Sequence, residues 1–178
     1  MESHSTTATG RGRRRSSAVT SSPRGKGVGT FSAWPLEAVD NYPAPARDTD
    51  PWVRLVREGI ELYRTGRSES ARQMWADDIV WSVAGDGPVS GQHIGADAIF
   101  GYHTRLSRLA GGEFRQRLLA IEGSGGPVVT AYLWTQARRG DDVHEIPTLV
   151  FFEVSRMRVR RVTEMPGDQA AWDRFWSD

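Results

Sequence analysis

Few side chains in this 178-residue sequence are equipped for chemistry. There are no cysteines, so disulfides, thiol nucleophiles and thiolate metal sites are excluded. His93 and His144 fall in or beside expected loops, and no His/Asp/Glu spacing resembles a metal site. Ser90 lacks the strand–turn–helix setting of a nucleophile elbow. Gly123, Gly125 and Gly126 join strand to strand instead of opening a helix, so they form no phosphate cradle. What remains is proton transfer. His103 belongs to the residue type that titrates near neutrality, and a partly buried Glu164 would have its pKa raised toward a useful value. Each has a plainer reading beside it. His103 also reads as a half-exposed helical histidine, and Glu164 as a salt-bridge partner of Arg158, Arg160 or Arg161. Asp77-Asp78 resembles a carboxylate pair, but at a helix-to-strand turn its work is to cap backbone donors.

The elements that must position these groups follow from local pattern. Asp50-Pro51 is a helix start, an N-cap followed by a residue pre-set for helical φ. Trp52, Leu55, Val56, Ile60 and Tyr63 then recur at helical spacing, predicting a helix over 51–65 that Gly66 ends. Ser68 is expected to cap a short helix running through Met74 and Trp75. A strand over 79–83 follows Asp77-Asp78 and is broken by Gly85, Gly87 and Pro88. A third helix over 95–109 carries Ile99, Tyr102, Leu106 and Leu109 on one side, and Gly111-Gly112 stops it. Four strands are predicted at 114–121, 128–137, 143–154 and 157–164, the first three separated by the hairpin sequences Gly123-Ser124-Gly125-Gly126 and Arg139-Gly140-Asp141-Asp142. A final helix spans 168–176. Helices segregated from a mostly antiparallel sheet define an α+β fold, and a curved sheet closed on one face by helices leaves a concavity. Tyr132, Trp134 and Gln136 alternate along one strand and therefore share a face.

Charge divides the chain. Residues 1–30 carry six basic side chains against Glu2, while the remainder has seventeen basic and twenty-one acidic groups. With no apolar periodicity to bury, residues 1–50 are read as a disordered basic tail and a proline-containing linker, and 51–178 as the folded domain. The cluster Arg13-Arg14-Arg15 lacks the apolar stretch of a twin-arginine signal and the aromatic or helical pattern of a nucleic-acid arm. It reads as part of a solvated tail or of an over-extended gene start. No run of roughly 18 apolar residues occurs, so no membrane helix is expected, and the lack of cysteine suits a cytoplasmic protein.

The element order, with Tyr63-Arg-Thr-Gly66, Trp75-Ala-Asp77-Asp78-Ile-Val-Trp81, Pro88-Val-Ser-Gly91, Gly95-Ala-Asp-Ala-Ile99 and Gly111-Gly112-Glu-Phe114, resembles the SnoaL-like branch of the nuclear transport factor 2-like superfamily. The ending Glu164-Met-Pro-Gly-Asp168-Gln and Asp173-Arg-Phe-Trp176 is similar too, so the likeness covers 51–178. The resemblance implies a curved, mostly antiparallel sheet wrapped by three helices into a cone, a cavity inside it, and a homodimer through the outer sheet face. It implies no cofactor, no metal and no nucleic-acid or membrane partner. The partner it implies is a small apolar or aromatic molecule.

Polyketide cyclases, steroid isomerases, dehydratases, epoxide hydrolases and binding modules share this fold, so fold alone does not fix function. The tyrosine and two aspartates of steroid isomerases align with Gly59, Val83 and Leu149, which removes that chemistry. Nor is there a convincing Asp-Arg-Asp relay for an epoxide hydrolase. The resemblance makes Glu164, at the inner cone mouth, and His103, on the pocket edge, the candidate catalytic residues. Trp81, Tyr132, Trp134, Gln136 and Tyr63 are the candidate substrate-binding residues. The function implied is a cofactor-independent cyclase, isomerase or dehydratase acting on a polyketide-like or other secondary metabolite. The alternative is a non-catalytic binding or scaffolding dimer.

Overall fold

Helix α1, Pro51–Arg64, begins where Asp50 Oδ1 accepts a 2.8 Å bond from the Trp52 N–H and proline occupies the first turn. The computed structural model describes residues 49–177, so all but the last two residues of the expected tail and linker lie outside the described residues. Helix α2, Ser68–Arg72, is shorter than expected, and Ser68 is its first residue instead of its cap. Strand β1 starts at Trp75 and runs to Val83. Trp75 therefore belongs to the sheet, and Asp77-Asp78 lies within a strand instead of at a turn. Both carboxylates are exposed. They face arginines of the neighbouring strand, Asp77 to Arg158 at 3.4 Å and Asp78 to Arg160 at 2.6 Å.

Strand β2, Gly91–Ile94, has no counterpart in the sequence expectation, because three of its four residues are exposed and it carries no buried alternation. Helix α3 is Ala96–Leu109. Strands β3 (Arg115–Gly123), β4 (Val128–Arg139), β5 (Asp142–Ser155) and β6 (Arg158–Pro166) each match an expected strand. Helix α4, Gln169–Trp176, is capped by Asp168, which accepts a 2.9 Å bond from the Ala171 N–H. The α+β class holds, and the described residues contain the four helices that the local patterns predict.

The six strands form one sheet in the order β2-β1-β6-β5-β4-β3, antiparallel throughout except where β1 runs parallel to β6. Register sets which residues share the inner face. Val83 lies opposite Glu164, Glu164 opposite Val150, and Val150 opposite Ala131. That face buries Ile79, Val150 and Val162 against Val53 and Val56 of α1 and Ile99 and Leu106 of α3. Each fully buried aliphatic chain stabilises the fold by about 1.5–3 kcal/mol. Among the described residues, no helix is long and apolar enough to cross a membrane.

Candidate functional site

A cavity of about 590 Å³ opens between α1, α3 and the inner face of the sheet. Its walls are mainly apolar: Leu55 and Ile60 from α1, Trp75 and Trp81 from β1, and Val150 and Phe152 from β5. Tyr63, His103 and Gln116 bring polar atoms to it. A more open depression of about 740 Å³ lies among Arg108, Arg138, Arg139 and Arg174, and holds none of the expected site residues.

Glu164 is completely buried. The Trp81 indole N–H donates to its Oε2 at 2.9 Å and the Tyr102 hydroxyl to the same oxygen at 3.3 Å. The Gln116 amide donates to Oε1 at 3.1 Å. All three partners are neutral. Desolvation raises the carboxyl's pKa, and the three hydrogen bonds offset only part of that effect. The salt bridges considered for Glu164 are absent, since Arg158, Arg160 and Arg161 pair with Asp77, Asp78 and Glu153. Glu164 is not at the cone mouth. It sits behind the cavity wall, where Trp81 and Gln116 line the space and bond back to it.

His103 does line the cavity, and is only 5% exposed. Its ring lies 4.7 Å from Tyr63, 5.0 Å from Trp81 and 4.9 Å from Tyr102, centroid to centroid. Its Nδ1 has no hydrogen-bond partner. Burial, aided by His93, pushes its pKa down to about 3. The expectation of a histidine titrating near neutrality is therefore corrected: this imidazole is neutral at physiological pH. Burial and the Glu164 charge push Tyr63 up to about 12. Tyr102 is raised well above its ordinary value by burial and then by the charge and hydrogen bond of Glu164, while His93 stacks on it at 4.4 Å and is lowered by burial.

The structure brings Trp81, Tyr63, His103 and Glu164 together, but of the three residues expected from β4 it leaves Tyr132 and Trp134 away from the cavity lining. Along that strand Val129, Ala131, Leu133, Thr135 and Ala137 are buried inward. Alternation then sends Tyr132 and Trp134 to the outer face. Tyr132 is 40% exposed and lies opposite Leu149. Trp134 lies opposite Arg117 and Pro147. Gln136 does line the cavity, as expected, while its amide bonds to Glu145 at 2.8 Å. The same parity places Leu149 outside; Val150 is the cavity-facing residue there, so the position still carries no acid.

Two residues went unnoticed in sequence. Tyr102 read only as part of the apolar side of α3. Gln116 is flanked by Arg115 and Arg117, so nothing in the pattern marks it as inward-facing. Its amide also donates to Thr135 Oγ1 at 3.3 Å, and that hydroxyl meets Thr148 Oγ1 at 2.8 Å. A buried polar chain thus crosses from α3 through β6, β3 and β4 to β5.

No family model matches the sequence, and no curated protein matches it either. Solved structures do. The chain is 26% identical to Bal32a, from a soil-derived mobile gene cassette, over 73% of this chain and 99% of that one, with a TM-score of 0.68. A nuclear transport factor 2-like protein from Burkholderia xenovorans is 19% identical over 72% and 96% of the two chains, with a TM-score of 0.60. A candidate polyketide cyclase from Xanthomonas campestris is 19% identical over 71% and 97%, with a TM-score of 0.56. Helices folded over one face of a curved sheet to enclose an apolar cavity define the class of protein. The chain shares the fold of the nuclear transport factor 2-like proteins among these structures.

Proposed function

We propose that the protein is a cofactor-independent cyclase, isomerase or dehydratase that moves a proton on a polyketide-like or other secondary metabolite held in the apolar cavity. The observation that supports it most is the buried Glu164, which has only neutral donors around it at the inner end of an aromatic cavity. A raised carboxyl pKa suits a group that must take a proton from carbon and return it. The substrate first binds with the Gln116 amide in place, and reaches Glu164 Oε1 when Gln116 then swings aside from its 3.1 Å bond. In the first step the substrate C–H bond breaks, its electrons pass into an enolate, and the proton moves to Glu164. In the second step the acid returns the proton at a different atom, or to a leaving hydroxyl. Neutral His103 cannot serve as a cationic acid here; it orients the substrate through a hydrogen bond.

Likeness to a fold family that includes a candidate polyketide cyclase supports the reaction class. The reading includes a cytoplasmic homodimer through the outer sheet face, where Tyr132, Leu149 and Met165 stand in register; sedimentation velocity tests that state. The reaction is tested by identifying what the protein retains from extract of the producing cells, by native mass spectrometry or co-crystallisation, and assaying turnover. Glu164→Gln and His103→Ala should each lower turnover by about tenfold or more. Unchanged turnover in Glu164→Gln would remove the acid–base assignment, and unchanged turnover in His103→Ala the orienting role. A non-catalytic binder is the second reading, favoured by the satisfied oxygens of Glu164 and its place behind the wall. Recovery of a retained ligand chemically unchanged after prolonged incubation would support it.

A further inference from the structure

The donors around Glu164 are already committed. The Trp81 N–H and the Tyr102 O–H go to Oε2, and the Gln116 amide gives hydrogens to Glu164 Oε1 and to Thr135 Oγ1. A carboxylate only accepts, so this amide orientation is the one that satisfies an ionised Glu164. With both of its donors engaged, Gln116 retains only its Oε1 acceptor for a ligand, and Gln116 lines the cavity. Beside it, the unpartnered Nδ1 belongs to an imidazole that carries one donor and one acceptor. The Tyr63 hydroxyl can donate or accept and therefore does not discriminate.

We infer that Gln116 makes the cavity selective for aromatic molecules that carry a hydroxyl donor, a phenol or a stable enol, whose O–H donates to Gln116 Oε1. This deepens the proposed function and rests on its reading of the cavity as a small-molecule site. An ether or a ketone of the same shape fills the apolar walls but leaves the amide oxygen unpartnered and desolvated.

The test compares the affinities of β-naphthol and its methyl ether for the purified full-length protein at neutral pH, by isothermal titration calorimetry. The naphthol should bind about five- to tenfold more tightly, the range that one net hydrogen bond supplies. Gln116→Met keeps the length of the side chain without the amide, and should bring the naphthol down to the affinity of the ether. Equal binding of the two probes to the wild type would overturn the selectivity while leaving the cavity reading intact. Discrimination retained in Gln116→Met would take the role away from Gln116. Binding of neither probe would sink the cavity reading and the inference together. Should the variant fail to fold, the Gln116 carboxamide resonances of the wild type serve instead. They should move on adding naphthol and stay in place with the ether; equal movement would overturn the inference.

Discussion

A neutral, buried imidazole makes a definite statement about stability. His103 is held at a pKa of about 3, against 6.5 when unperturbed, chiefly because burial penalises its charged form. The unfolded chain takes up this proton as pH falls below about 6.5, while the folded chain does not, so stability is lost with acidification. Between about pH 7 and about pH 5 the loss from this one group is about 2 kcal/mol. His93 and His144 are also lowered by burial and act in the same direction, whereas Glu164 is raised and acts in the opposite one. Measuring wild type alone would mix these effects. His103→Leu removes the single titration and leaves the others, so the difference between the two pH profiles isolates it. Urea denaturation followed by far-ultraviolet circular dichroism provides the assay. At typical urea slopes, the wild-type midpoint should fall about 1 M further than that of the variant over the same interval. Parallel profiles would refute the reasoning. So would a His103 ring resonance that titrates at the ordinary histidine value.

Glu164→Leu strips the acceptor from Trp81, Tyr102 and Gln116 and should cost about 3 kcal/mol or more, read by chemical denaturation. Glu164→Gln should instead stay within about 1 kcal/mol of wild type at neutral pH, because Gln116 can turn over to meet it. The Gln variant should also lack one gain: with its folded pKa raised, wild-type Glu164 adds stability as pH falls through that pKa toward its ordinary 4.5. Asp173 accepts from the Gly87 N–H at 3.1 Å, the Asp86 N–H at 3.3 Å, Ser90 Oγ at 3.3 Å and Gln169 Nε2 at 3.1 Å, tying α4 to the loop after β1. Asp173→Ala should cost about 2 kcal/mol and speed amide exchange at Asp86 and Gly87 well beyond that elsewhere; uniform acceleration would contradict the local tether.

Elements with their own local signals were legible in the sequence. Asp50 and Asp168 cap helices as their types dictate, and Gly125 and Gly140 stand in the β3–β4 and β4–β5 turns, whereas the β5–β6 turn uses Arg156 and Met157. The long strands β4 and β5 were found to within two residues at each end, since their buried alternation persists for a dozen positions or more. β2 and the start of β1 carry no such signal. They are strands because the neighbouring chain supplies hydrogen bonds: Val159 N–H donates to the Met74 carbonyl at 2.9 Å, and Trp81 pairs with His93. Asp77-Asp78 resembles a turn only when the arginines of β6 are out of view.

The site was legible in residue type more than in facing. Trp81, Tyr63, His103 and Glu164 do converge, yet the aromatic residues of β4 turned out to lie on the opposite surface. In that strand the larger side chains, Tyr132 and Trp134, point outward, and Ala131, Leu133 and Thr135 point in. The expected facing rests on the family resemblance, and a one-residue offset there inverts it; β-strand alternation itself is indifferent to which set is bulky. The small inward residues also have a consequence for the cavity. Gln116 lies opposite Thr135, and the threonine's short hydroxyl side chain lets the amide bond to it and to Glu164 at once. A large residue at Thr135 would displace Gln116 and with it the donor of Glu164's cavity-side bond. The chemistry of Glu164 therefore depends on a residue that carries none of its own, and no motif centred on ionisable groups would have pointed to it.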